Sequence, residues 1–121
     1  MKQKQSQIWG SHLENKPYEQ NVLFCAGRDV QELPMADELL LPFDIWTNRA
    51  HCIMLQRQGL IPTESLGSIL AGLSQLEKLV ESGEFSLDPA KEDVHINVEA
   101  FVTETQGAEA GRRMHIGRSR N

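Results

Sequence analysis

A chain of 121 residues, 40% apolar and 24% charged, has the make-up of one soluble globular domain with a modest core. Its formal charge of -5 argues against nonspecific nucleic-acid binding, since grip on a phosphate backbone needs a basic excess. Cys25 and Cys52 are two isolated thiols without C-x-x-C spacing, which make neither a metal motif nor a disulfide framework and read as reduced.

No apolar run approaches the roughly 18 residues of a membrane span. The opening Met1-Lys2-Gln3-Lys4-Gln5-Ser6 lacks the apolar stretch of a secretory signal, so a cytoplasmic protein is expected. Residues 1–35 form an irregular arm: Pro17, Gly27 and Pro34 interrupt any long helix, and Val22-Leu23-Phe24 allows a single helical turn.

From residue 36 to 121 the chain reads as a helical domain. A first helix is expected over Asp44–Gln58, preceded by Pro42 and closed by Gly59. Ile45, Ala50, Cys52, Ile53 and Met54 make its apolar stripe, with Arg49, Gln56 and Arg57 facing away. Ile61-Pro62-Thr63-Glu64 starts the next helix: Thr63 is placed to cap the free amides and Glu64 to meet the positive end of the dipole. Leu66, Ile69, Leu70, Leu73, Leu76 and Val80 then recur at threes and fours until Gly83. The short link between these helices predicts an antiparallel hairpin. A third helix runs from Lys91 to Gln106 with Val94, Val98, Phe101 and Val102 on one face, and Gly107 and Gly111 bracket a loosening stretch beyond it. The expected class is all-α.

Two segments carry chemistry. On the third helix, residues four apart share a face, which pairs Asp93 with Asn97 and His95 with Glu99. Asp93 and His95 point into one cleft only if the first turn opens; spacing alone favours a solvated face with a capping acid. The second segment is His115-Ile116-Gly117-Arg118-Ser119-Arg120-Asn121, where a glycine hinge precedes two guanidinium forks, a hydroxyl and an amide. Such a set holds carboxylates or phosphates, because arginine presents planar paired donors and keeps its charge. A charged loop is more often merely solvated. With Arg112 and Arg113 nearby in an acidic chain, it points to a small anionic ligand rather than a polymer. Asp44 reads as a helix cap, and His51 and His115 as packing or capping residues. No metal, nucleotide or flavin motif is present, so no cofactor is expected.

Together, Glu92-Asp93-Val94-His95 and the Arg-rich loop about twenty residues later resemble the N-terminal domain of argininosuccinate lyase, in the fumarase and aspartase superfamily. The family pattern is Glu-Asp-Ile/Val-His on a helix, then His-Thr-Gly-Arg-Ser-Arg-Asn; Ile116 stands where Thr is usual. Within Leu41–His51, Asp44, Ala50 and His51 fit the family, while Thr47-Asn48 replaces a Gly-Ser pair. Earlier, Phe24-Cys25-Ala26-Gly27 lies where Phe-x-x-Ser is common, and Gly27 has no hydroxyl; Arg28 is the candidate replacement contact. Trp9-Gly10-Ser11 keeps only part of the usual Trp-Gly-Gly-Arg opening.

The resemblance implies a parent enzyme that cleaves argininosuccinate to arginine and fumarate by C–N β-elimination. It places Asp93 and His95 at the cleft, with His95 orienting the substrate or donating a hydrogen bond. It gives substrate binding to Asn121, with Arg118, Ser119 and Arg120 beside it. It puts the proton-transfer groups beyond Asn121 and implies a homotetramer whose sites draw on three subunits, so the 121 residues alone are expected to be inactive. The departures at Gly27 and Thr47-Asn48 keep open another N-substituted succinate as substrate. A helical interaction module docking an acidic partner through Arg118 and Arg120, or a catalytically silent relative, are the readings outside that reaction.

Overall fold

The computed structural model describes residues 18–25 and 34–118, and every regular element among them is helical. In order these are α1 (Glu19–Cys25), a 3-10 turn (Ala36–Leu40), α2 (Leu41–Arg57), α3 (Thr63–Glu81), a 3-10 turn (Pro89–Lys91), α4 (Val94–Gln106) and α5 (Ala108–Met114). The all-α class holds. Within the arm, α1 runs for 7 residues, longer than the single turn expected.

α2 begins three residues before the expected Asp44, and Pro42 sits inside its first turn. Proline is at home there: its missing N–H would have no partner in a first turn, and its fixed φ suits the helix. The inward positions of α2 are Leu41, Asp44, Ile45, Asn48, Cys52 and Leu55, again at threes and fours. The expected stripe was therefore rotated, since Ala50 and Met54 are exposed and Ile53 is only half-buried. The cause is plain. Two inward positions are polar, and a line drawn through apolar residues misses them.

α3 follows its reading closely. Ile69, Leu73 and Leu76 are fully buried, Leu66 and Val80 pack against the same core, and Gly83 closes the helix at φ 73°. Thr63 is not the cap, however. The extended backbone of Pro62 occupies that position, so Thr63 is already helical and its hydroxyl instead accepts from Gln56 Nε2 at 3.3 Å. Arg49 does not face away either: it crosses to α3, donating to Glu77 at 2.9 and 2.7 Å and to Ser74 at 3.1 Å. The middle of α2 thus meets late α3 and late α2 meets early α3, which makes the pair the expected antiparallel hairpin.

α3 is the central helix, packed on α2, α4 and α5. The core joins Ile45, Cys52 and Leu55 of α2 to Leu73 of α3, Val98 and Val102 of α4 and Met114 of α5. Each fully buried aliphatic side chain contributes about 1.5–3 kcal/mol.

α4 starts at Val94 rather than Lys91, and the backbone shows why. Glu92 adopts φ 68° and ψ -58°, and Asp93 N–H donates to Lys91 C=O at 2.9 Å. This is a three-residue γ-turn of the rare, strained hand, which a helix cannot pass through. Asp93 then caps α4, its Oδ1 accepting from Ile96 N at 2.8 Å, while Asp37 reaches across to accept from Val94 N at 3.0 Å. Buried Asn97 staples the preceding loop to α4: its Oδ1 accepts from Asp88 N at 2.8 Å, and its Nδ2 donates to the carbonyls of Asp93 and Asp88 at 2.8 and 3.2 Å.

The stretch after Gly107 does not loosen; it forms α5. Gly111 is there for close approach. A Cβ at that position would lie 1.9 Å from Thr103 Oγ1 on α4, so only glycine lets the two helices meet.

Candidate functional site

Where α2, α4 and the loop after α5 meet, the inward polar residues of α2 find their partners. Asp44, 5% exposed, turns its carboxylate toward α4 and the loop. Its Oδ1 contacts His95 Nδ1, and its Oδ2 accepts from Asn48 Nδ2 at 2.9 Å. Asn48 Nδ2 also donates to the Asp44 main-chain carbonyl at 2.8 Å, and Asn48 Oδ1 accepts from Arg118 Nη1. One buried carboxylate and one buried amide thus connect the His of one motif to the Arg of the other.

The loop is fixed from two sides. Gly117 turns it with φ 74°, a conformation that suits glycine, and Arg118 N donates to His115 C=O at 3.2 Å. His51, from the outer end of α2, brings Nε2 within 2.8 Å of Ile116 C=O. His115 ends α5 with Nδ1 3.3 Å from Glu99 Oε2. The histidines of the three segments are therefore used differently: His95 faces Asp44, while His51 meets the Ile116 carbonyl and His115 meets Glu99, on either side of the bend that carries Arg118.

Electrostatics follow from depth. Burial pushes the Asp44 carboxyl above the ordinary carboxylate value, and the His95 ring and Arg118 guanidinium pull it back only in part. The same burial pushes the Cys52 thiol up to about 11, again with Arg118 opposing. His95 is the exposed member of the cluster, its side chain 58% accessible while Asp44's is 3%. A carboxylate anchored below and an imidazole presented above is an arrangement for orienting a polar ligand.

The expected site residues separate accordingly. His95 and Arg118 come together. Asp93 lies at the same helix end with its carboxylate engaged as the cap, and its expected side-chain pairing with Asn97 becomes a contact between Asn97 and the Asp93 carbonyl. The pairing of His95 with Glu99 is likewise replaced, His95 by Asp44 and Glu99 by His115. Arg28, Ser119, Arg120 and Asn121 lie outside the described residues. Asp44 is not a cap, because the helix starts earlier; it is the buried centre of the cluster, and Asn48 is its partner. The signal for both was their spacing with Leu41, Ile45, Cys52 and Leu55, which puts them on the core side.

The chain that carries these three converging segments is similar to known proteins. Over 117 residues, 97% of this chain, it is 38% identical to argininosuccinate lyase of Methylococcus capsulatus, covering 24% of that enzyme. It is 49% identical over 85 residues to the enzyme of Oleidesulfovibrio alaskensis, covering 70% of this chain and 18% of the relative. Against the chloroplastic argininosuccinate lyase of Arabidopsis thaliana it is 36% identical over 118 residues, 98% of this chain and 22% of the relative.

Over nearly its whole length the chain is similar to part of argininosuccinate lyase.

No protein-family profile matches it. The chain spans about a quarter or less of the length of the curated lyases it matches. The Asp44–Asn48–Arg118 connection runs through Asn48, one of the two residues expected to depart from the family pattern. Among the described residues, no helix is long and apolar enough to cross a membrane.

Proposed function

We propose that the chain is the N-terminal part of an argininosuccinate lyase-like enzyme that cleaves argininosuccinate to arginine and fumarate. The observation that carries this reading is the convergence of His95, Arg118 and the Asp44–Asn48 pair from three separate motif segments at one half-exposed point. In such an elimination a base removes a proton from the carbon beside a carboxylate. The electron pair forms the new C=C bond as the C–N bond breaks and the guanidino nitrogen departs. The charge that builds on the carboxylate needs donors already in place, because fixed dipoles and cations in a site with little water cost no reorganisation.

Arg118 with Arg120 and Asn121 supplies such donors, and His95 orients the substrate. Asp93 contributes by holding the start of α4, and Arg28 and Ser119 are assigned to substrate binding by their chemistry. The proton-transfer groups lie in the parent polypeptide beyond this segment, in a cytoplasmic homotetramer that uses no cofactor and binds neither nucleic acid nor membrane. The test is fumarate release, followed by its ultraviolet absorbance. The intact parent is expected to release fumarate from argininosuccinate, and the isolated 121 residues to release none. Absence of argininosuccinate turnover by the intact parent would defeat the reading.

A second substrate has one observation in its favour. Asn48 places an amide where the family pattern has a hydroxyl, and that amide touches Arg118. A parent that ignores argininosuccinate but turns over another N-substituted succinate would establish this alternative.

A further inference from the structure

Asp44 has two claimants that carry N–H donors. His95 meets its Oδ1 from α4, and Arg118 stands close enough to stabilise its charge from the loop. A guanidinium is permanently charged and offers paired donors, so in direct competition it takes a buried carboxylate in both hands. Here Arg118 Nη1 donates instead to the amide oxygen of Asn48. The amide nitrogen of the same side chain occupies Asp44 Oδ2 at 2.9 Å.

Only a side chain with a donor and an acceptor on one carbon can serve both partners at this reach. A serine at position 48 is one bond shorter, and its single proton serves one acceptor only. That proton would go readily to the Asp44 carbonyl one helical turn back, a bond Asn48 already makes at 2.8 Å.

We infer that Asn48 is a positioning residue that seats Arg118 while reserving the Asp44 carboxylate for His95. The carboxylate facing His95 Nδ1 favours the tautomer with the proton on that nitrogen, and in the neutral form of the ring Nε2 is then the acceptor on its exposed side. An acceptor at Nε2 suits an N–H of the nitrogen-bearing half of a substrate, leaving carboxylates to the arginines. The inference deepens the proposed function, and it rests on that reading only for what Nε2 meets, because the tautomer is set without ligand.

The experiment is two-bond 1H–15N correlation of the neutral His95 ring in the 121-residue chain, with thermal unfolding as a check on each variant. Wild type is expected to show the Nδ1–H form. Asn48→Ser is expected to shift the ring to Nε2–H, as Arg118 takes the carboxylate. Adding Arg118→Gln to Asn48→Ser removes the competitor and restores Nδ1–H, a rescue that a merely structural role would not produce. A wild-type ring in the Nε2–H form overturns the inference outright. So does a cooperatively folded Asn48→Ser chain that keeps Nδ1–H. Should Asn48→Ser fail to fold, Arg118→Gln alone decides: retention of Nδ1–H supports the inference and its loss overturns it. Fumarate release from argininosuccinate by the intact parent separates the two claims, since tautomers that follow this pattern beside a parent without turnover count against the lyase reading alone.

Discussion

α2 and α3 are antiparallel neighbours of 17 and 19 residues, yet they spend their surfaces in opposite ways. α3 buries Ile69, Leu73 and Leu76 and turns Ser74 and Lys78 outward. α2 buries Asp44 and Asn48 and exposes Phe43 and Trp46, 64% and 72% accessible. A helix that only has to hold a core arranges itself by hydrophobicity. A helix that must also aim His95 and Arg118 places polar groups inward, and their desolvation is offset by mutual contacts rather than by water.

The largest effect belongs to the helix that only packs. Leu73→Ala leaves a cavity where α3 meets the core and is expected to cost about 2–5 kcal/mol, read by urea unfolding. A cost below about 1 kcal/mol would mean that α3 is not the central support.

Next comes Cys52, which lies on the inward side of α2 at 0% exposure. Its folded value of about 11 exceeds the ordinary 9.0, so the unfolded chain releases the proton first as pH rises. The thiol's contribution is fully present below 9.0 and lost as pH passes through about 11, a fall of about 2–3 kcal/mol at most. Stability measured across that window should decline in wild type and decline less in Cys52→Ala. Equal slopes would show that the thiol is reached by water.

How far all this was legible in the sequence follows the same division. The period of Leu66, Ile69, Leu73 and Leu76 specifies α3, because apolar spacing and burial coincide there. In α2 they do not coincide, and the stripe drawn through Ala50 and Met54 pointed at solvent. The turn at Glu92 was hidden because no turn-favouring residue marks it: a glutamate holds the positive φ, between an Asn97 bond to Asp88 and an Asp37 bond to Val94. Gly111 misled for a related reason: glycine serves loops and close helix contacts alike, and only a partner such as Thr103 tells them apart. At the site, His95 and Arg118 were read from motif and side-chain chemistry. The Asp44–Asn48 link between them needed the third dimension, since Arg118 lies 70 residues from Asn48.

Asp44→Asn tests the polar half of the comparison and should have a smaller effect on stability, with the opposite sign. Because burial raises the folded Asp44 value, its contribution is fully present below 3.8 and lost as pH rises through the raised folded value. At neutral pH the neutral isostere escapes that loss, so Asp44→Asn is expected to be at least as stable as wild type while removing the carboxylate that faces His95. The stability gap between variant and wild type should open as pH climbs from the acid side. A variant destabilised throughout would show that the His95 and Arg118 contacts outweigh the desolvation of the charge.

The smallest effect is expected on the outward side of α2. Trp46→Ala removes the largest side chain of that helix, yet most of its surface already faces water, and exposed positions without partners usually change stability by no more than about 0.5 kcal/mol. The measurement is paired urea unfolding of Trp46→Ala and Leu73→Ala at one protein concentration, so that both helices are weighed on one scale. If truncating Trp46 cost more than about 1 kcal/mol, the indole would have to be buried in solution and α2 would have two packed faces. If it costs nothing, size and apolarity alone do not decide which residues of this chain carry the fold, and the inward position of Asn48 matters more than the bulk of Trp46.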